Sequence, residues 1–162
     1  DPANRSELAR LLARPEIFDL PAEILEANLD GRIALDNGEE MQVSGFLNFS
    51  RSAATFPWKS HAAWFYSQMV RWGETKMSAD GYACAQATYR PDVHRTALAP
   101  LDVPLPTANA KIEGAITAET AVPSTVGRLF LASDRFFDGG IFDPERIEDY
   151  LASQPVKADG PR

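Results

Sequence analysis

Apolar positions at helical spacing open the chain. Leu8, Leu11 and Leu12 recur on one face between Pro2 and Arg14, and Pro15 ends the run, so a first helix is predicted there. A second, shorter helix is predicted from Pro21, with Ile24, Leu25 and Leu29 on its apolar side and Asp30-Gly31 as the turn that stops it. The two make a helical hairpin. Between Arg32 and Phe49 the pattern turns mixed, and Asp36-Asn37-Gly38, a run that favours tight turns, predicts one weak β-hairpin. From Ser60 to Trp72 the helical period returns. Trp64, Phe65, Met69 and Trp72 form a stripe expected to be core, with Tyr66, Gln68 and Arg71 on the remaining faces. Ser60 reads as its N-cap and Gly73 as its left-handed stop.

Further helices are expected from Ser78 to Tyr89 and from Asp92 to Ala99, separated by Arg90-Pro91 and closed by Pro100. Residues 101–126 carry prolines and small residues without periodicity, and read as a long ordered connection or wrapping arm. Leu129-Phe130-Leu131 reads as a short strand. Phe142 to Ile147 is a strong helix start: Asp143 caps, Pro144 takes the first helical position and Phe142 staples onto Ile147. Tyr150 and Leu151 then face the core, and the polar tail after Gln154 is expected to fray. The piece reads as mostly helical with a few short strands, and no linker marks an internal domain boundary.

Composition narrows the function. The chain has 162 residues, 44% of them hydrophobic, which suffices for a core. Its net charge of −7 opposes direct, sequence-independent nucleic-acid binding, which needs a basic face to release counterions. The single cysteine, Cys84, excludes an internal disulfide and reads as a small packing residue. No apolar run reaches the length that spans a bilayer.

Candidate chemistry is sparse. His61, His94 and Cys84 lack the spacing of a metal site, and the acidic residues Asp134, Asp138, Asp143 and Glu145 around Gly139-Gly140 read as a solvated loop with a helix cap. No nucleophile elbow, phosphate-cradling loop or dinucleotide fingerprint is present, and no metal or cofactor is expected. What remains is the turn from Trp58 to His61. Trp58, Lys59, Ser60 and His61 combine an aromatic wall, a cation, a hydroxyl and a helix N-terminus, a setting that suits a small oxyanion. Trp58, Lys59 and His61 are the candidate ligand-binding residues.

Six blocks carry a resemblance: residues 1–5 (DPANR), 54–65 (ATFPWKSHAAWF), 68–73 (QMVRWG), 89–92 (YRPD), 110–114 (AKIEG) and 134–139 (DRFFDG). In this order they resemble the C-terminal part of the nitrate- and bicarbonate-binding proteins of ABC uptake systems. The resemblance implies an α/β fold in the full protein, of the type II periplasmic-binding kind, whose two lobes close around an oxyanion. Residues 1–162 would be its C-terminal portion. It implies binding of nitrate, nitrite or bicarbonate as the substrate-binding component of a transporter, with an ABC permease as partner and a periplasmic or membrane-associated location. Two related alternatives are a cytoplasmic nitrate and nitrite sensor with an antiterminator partner, and the regulatory extension of a transporter ATPase subunit. Members contact the anion mainly through a lobe that this chain does not contain. Of the matched residues, Lys59 and His61 are the ones expected to bear on the ligand.

Overall fold

A computed structural model describes residues 2–43, 46–48 and 51–154. The tail after Gln154 and the far end of the predicted hairpin at Phe49 lie outside the described residues. The chain divides into two compact units, Asp1–Phe49 and Ser50–Arg162.

In the first unit a 3₁₀ turn, Pro2–Asn4, leads into α1 (Arg5–Leu12), and α2 (Ala22–Leu29) packs back on it as the hairpin the leucine spacing predicts. Polar ties hold the pair: Arg5 Nη1 lies 2.7 Å from Asp30 Oδ1, and Ser6 donates to Glu26. Gly31, at a φ of 76° that favours glycine, turns the chain into β1 (Arg32–Ala34), which pairs antiparallel with β2 (Glu40–Gln42). Asn37 and Gly38 supply the turn, with Asn37 Oδ1 accepting from the Glu39 N–H at 3.0 Å.

The second unit carries α3 (Lys59–Arg71), α4 (Ala79–Thr88), α5 (Pro91–Leu98) and α6 (Ile147–Ser153), with one antiparallel pair, β3 (Thr120–Val122) and β4 (Leu129–Leu131). Ser78 caps α4 by accepting from the Gly81 N–H at 3.1 Å, and Pro91 opens α5 where its missing N–H costs nothing. Asp143 caps as predicted, accepting from the Glu145 N–H, but Pro144–Arg146 is a 3₁₀ turn and the α-helix begins only at Ile147. Two buried clusters form the core. One gathers Phe56, Trp58, Leu105, Leu129 and Leu131; the other gathers Ala63, Tyr66, Phe142, Ile147 and Leu151 between α3 and α6.

Helix α3 departs from the predicted packing. Phe65, Met69 and Trp72 are exposed, at 54%, 43% and 60%, while Ala62, Ala63, Tyr66, Ser67 and Gln68 are buried. The small alanines admit close approach to the neighbouring elements, and the buried Tyr66, Ser67 and Gln68 side chains have partners, while Arg71 Nε is buried without one. Tyr66 donates to the Lys76 carbonyl and accepts from the Ser78 N–H; Gln68 Nε2 donates to Ser67 Oγ and to the Tyr150 hydroxyl. Satisfied polar groups can go inside, and here they displace the aromatic stripe. Helix α3 also starts two residues earlier than expected: Trp58 stands at the cap position without a side-chain bond, and Ser60 lies inside the first turn. Cys84, expected to pack, is exposed on α4.

Candidate functional site

The start of α3 is fixed from three directions. Its first N–H, that of Lys59, donates to the Asn109 carbonyl at 2.8 Å, so a loop end does the capping that Ser60 was expected to do. That loop is clamped by Arg95 of α5. Its guanidinium donates to the carbonyls of Pro106, Thr107 and Ala108 and to Asn109 Oδ1, and lies over the Phe56 ring at 5.0 Å. Downstream, Glu113 and Phe142 exchange both backbone hydrogen bonds at 2.9 Å, which sets the Glu113 side chain against α3.

Glu113 is 5% exposed and forms the centre of the site. Ser60 Oγ donates to Glu113 Oε1 at 2.5 Å, His61 Nε2 lies 3.4 Å from Oε2, and Lys111 donates to the same oxygen. Lys111 also donates to Asp134, whose other oxygen accepts from the Ile116 N–H at 2.9 Å, and its own N–H donates to Ser60 Oγ at 3.2 Å. The Lys111 ammonium sits 5.8 Å from the Trp58 ring centre, a cation–π distance. Burial works most strongly against the Glu113 charge. The hydrogen bonds from His61, Lys111 and Ser60 together outweigh it and hold the carboxyl below its ordinary value of 4.5.

This arrangement answers the question of what sits at the α3 N-terminus. A helix start attracts an anion, and the chain supplies one of its own in Glu113. Asp134, grouped on sequence with a solvated acidic loop, is instead an inward partner of Lys111. With two carboxylates against one ammonium, the cluster carries no spare cation.

Two cavities flank it. One, of about 310 Å³, is walled by Trp64, Phe65 and Phe136 and floored by His61, Glu113 and Asp134; the other, of about 200 Å³, shares those three polar residues and reaches Trp58, Lys111 and Leu131. Of the sequence candidates, Trp58 is 4% exposed and belongs to the core, His61 lines both cavities, and Lys59 is half-buried at the helix start. Sequence reasoning gave no role to Lys111, Glu113, Asp134 or Arg95. Lys111 and Glu113 do stand in one of the six blocks, and their i, i+2 spacing places both side chains on one side of an extended segment. Among the described residues no group of His, Cys, Asp and Glu is arranged to hold a metal ion.

No family model matches the chain. It is 33% identical over 159 residues to the nitrate/nitrite binding protein NrtA of Synechococcus elongatus, covering 98% of this chain and 32% of that protein. It is 28% identical to the bicarbonate-binding protein CmpA of the same species, over 96% of this chain and 33% of that protein. A nitrate import ATP-binding protein, NrtC, also of S. elongatus, matches at 25% identity over 98% of this chain and 20% of its own length. The crystal structure of the periplasmic nitrate-binding protein NrtA from Synechocystis PCC 6803 superposes with a TM-score of 0.67 and 28% identity, over 96% of this chain and 36% of that one. The mostly helical fold with few short strands is therefore that of a part of such a protein. The chain is homologous to the nitrate- and bicarbonate-binding proteins, and it spans about a third of the length of the relatives it matches.

Proposed function

We propose that this chain is the C-terminal portion of a two-lobed solute-binding protein that takes a small oxyanion, nitrate, nitrite or bicarbonate, for an ABC-type uptake system. The observation that carries the reading is the 33% identity running along 98% of the chain to a nitrate/nitrite binding protein. The protein acts as a binding component without catalysis, in the periplasm or at the membrane, with an ABC permease as its partner. Among the described residues no helix is long and apolar enough to cross a membrane, which fits a component that docks on a permease instead of forming one.

Lys111 is committed to Glu113 and Asp134, so the cluster repels a second anion more than it holds one. The anion is therefore held mainly by residues outside this chain, with Lys59 and His61 at the edge of its site and Trp58 supporting them from the core. Calorimetry on the longest encoded chain that contains these residues tests this. Binding of one of the three anions is expected, with affinity lowered in Lys59→Glu. Failure of all three to bind overturns the reading, and unchanged binding in the variant removes Lys59 from the site.

A second reading has one observation in its favour, the match to an ATP-binding protein along nearly the whole chain. In it the chain is the regulatory extension of a transporter ATPase subunit. An ATP-binding cassette in the same encoded chain would select it. The cytoplasmic sensor and its antiterminator gain no support from the relatives named above.

A further inference from the structure

The aromatic cavity beside the ion cluster, of about 310 Å³, has an apolar wall and a charged floor. In the wall, Trp64 stacks on Phe136 with ring centres 5.6 Å apart, and Phe65 meets Trp64 at 5.3 Å and 70°, so ring surface is presented in two orientations. On the floor, the carboxylates of Glu113 and Asp134 share a single ammonium, that of Lys111, and His61 completes the lining. With the imidazole uncharged, one negative charge is left over. The two carboxylate side chains are 7% and 20% exposed, so water and salt screen that charge weakly.

Charge, wall and hydrogen bonding each restrict what fits. An anion meets net repulsion, and a neutral apolar body would leave the surplus charge unanswered beside it. A metal ion needs several ligands of its own, and among the described residues no group of His, Cys, Asp and Glu is arranged to supply them. All four carboxylate oxygens already accept a hydrogen bond: Glu113 Oε1 from Ser60 and Oε2 from Lys111, Asp134 Oδ1 from the Ile116 N–H and Oδ2 from Lys111. A primary ammonium, whose three N–H groups each seek an acceptor, finds that capacity largely taken. A fully methylated ammonium asks for no hydrogen bond, only for a negative field and aromatic surface. We propose that this cavity binds a small quaternary ammonium cation, its methyl groups against Trp64, Phe65 and Phe136 and its charge beside Glu113 and Asp134. The proposal stands whether or not the whole protein takes an oxyanion.

Calorimetry on the longest encoded chain that contains these residues tests it with related probes. Choline carries the methylated charge, dimethylbutanol has the same shape with carbon in place of the nitrogen, and ethanolamine carries its charge on a primary amine. The expected result is saturable choline binding, about tenfold or more tighter than that of either other probe. Phe65→Leu keeps an apolar side chain and removes one ring at a position 54% exposed, so it should weaken choline about tenfold and leave the melting temperature unchanged. Absence of choline binding overturns the proposal. Equal binding of dimethylbutanol overturns it too, by showing an ordinary apolar pocket, and ethanolamine as tight as choline overturns the choice of a methylated cation. Choline binding untouched by Phe65→Leu places the cation elsewhere and overturns the site.

Discussion

The two units use similar local signals and reach different interiors. Both contain short helices ended by proline or glycine and a small antiparallel pair. In the second unit these elements enclose Phe56, Trp58, Tyr66, Phe142 and Leu131. In the first, Ala9 and Leu29 are the buried apolar side chains among the described residues, while Leu11, Ile17, Phe18, Leu20 and Ile24 are exposed. Its helices have eight residues each, below the length that persists alone in water. Local signals decide which elements form, and buried area decides how firmly they are kept. By this criterion the second unit is the stable scaffold, and the first is held by its turns and polar ties.

The widest separation between the units is expected from single deletions of large apolar side chains. Phe142 is 0% exposed and meets the Tyr150 ring edge-on at 5.0 Å, so Phe142→Ala should cost about 3–5 kcal/mol in urea unfolding. Ile24→Ala, at a half-exposed position of α2, should cost under about 1 kcal/mol. Equal costs would break the comparison.

Comparable losses are expected at the ion cluster. Lys111→Met leaves Glu113 and Asp134 facing each other without their shared cation, and breaking a buried pair in this way costs about 3–5 kcal/mol. The pH dependence has a definite sign. The Glu113 carboxyl is held below 4.5, so its stabilisation is complete above the unfolded value and is lost as pH falls through the lower folded value. The stability difference between the native chain and Glu113→Gln should therefore be constant from neutral pH down to about 5 and shrink in more acid solution. A difference that grows in acid would mean that the hydrogen bonds do not outweigh burial.

Arg95 comes next. Its planar fork serves three carbonyls and one amide oxygen, so Arg95→Lys keeps the charge and loses most of the bonds. A cost of about 2 kcal/mol is expected, discounted for the exposure of part of the network. Faster amide exchange at Lys59, whose N–H depends on the clamped loop, is the accompanying signature.

Much of this was legible in the sequence. The helical hairpin, the turn at Asn37-Gly38, the helix beginning near Ser78, the Asp143 cap, the break at Pro91 and the strand at Leu129–Leu131 all follow from local chemistry. Strand β3 was not legible, because three residues set among prolines and small residues carry no period. The burial of α3 was misread for a different reason. Periodicity reports which residues share a face but not which face goes inside; Tyr66 and Gln68 go inside because Lys76, Ser78 and Tyr150 satisfy them. The site follows the same logic. Ser60 and Glu113 lie 53 positions apart, and no local rule announces that one will donate to the other. Only the resemblance set their two blocks side by side, and it assigned Glu113 no role.

Two glycines of the first unit test what holds it. Gly31 and Gly38 adopt nearly the same backbone, at φ of 76° and 82°. A Cβ at Gly31 would meet the Val43 carbonyl oxygen at 2.5 Å, whereas one at Gly38 meets nothing within 4 Å. Both alanine variants incur the left-handed penalty of about 1–2 kcal/mol. Gly31→Ala adds a clash with backbone that must move, for a total of about 2–4 kcal/mol. Gly38→Ala should stay near 1 kcal/mol, since turn tips relax easily. A first unit more sensitive to Gly31→Ala than to Ile24→Ala is one held by its backbone turns. The reverse order would show that its half-exposed side chains are covered in solution, and the contrast between the units would then vanish.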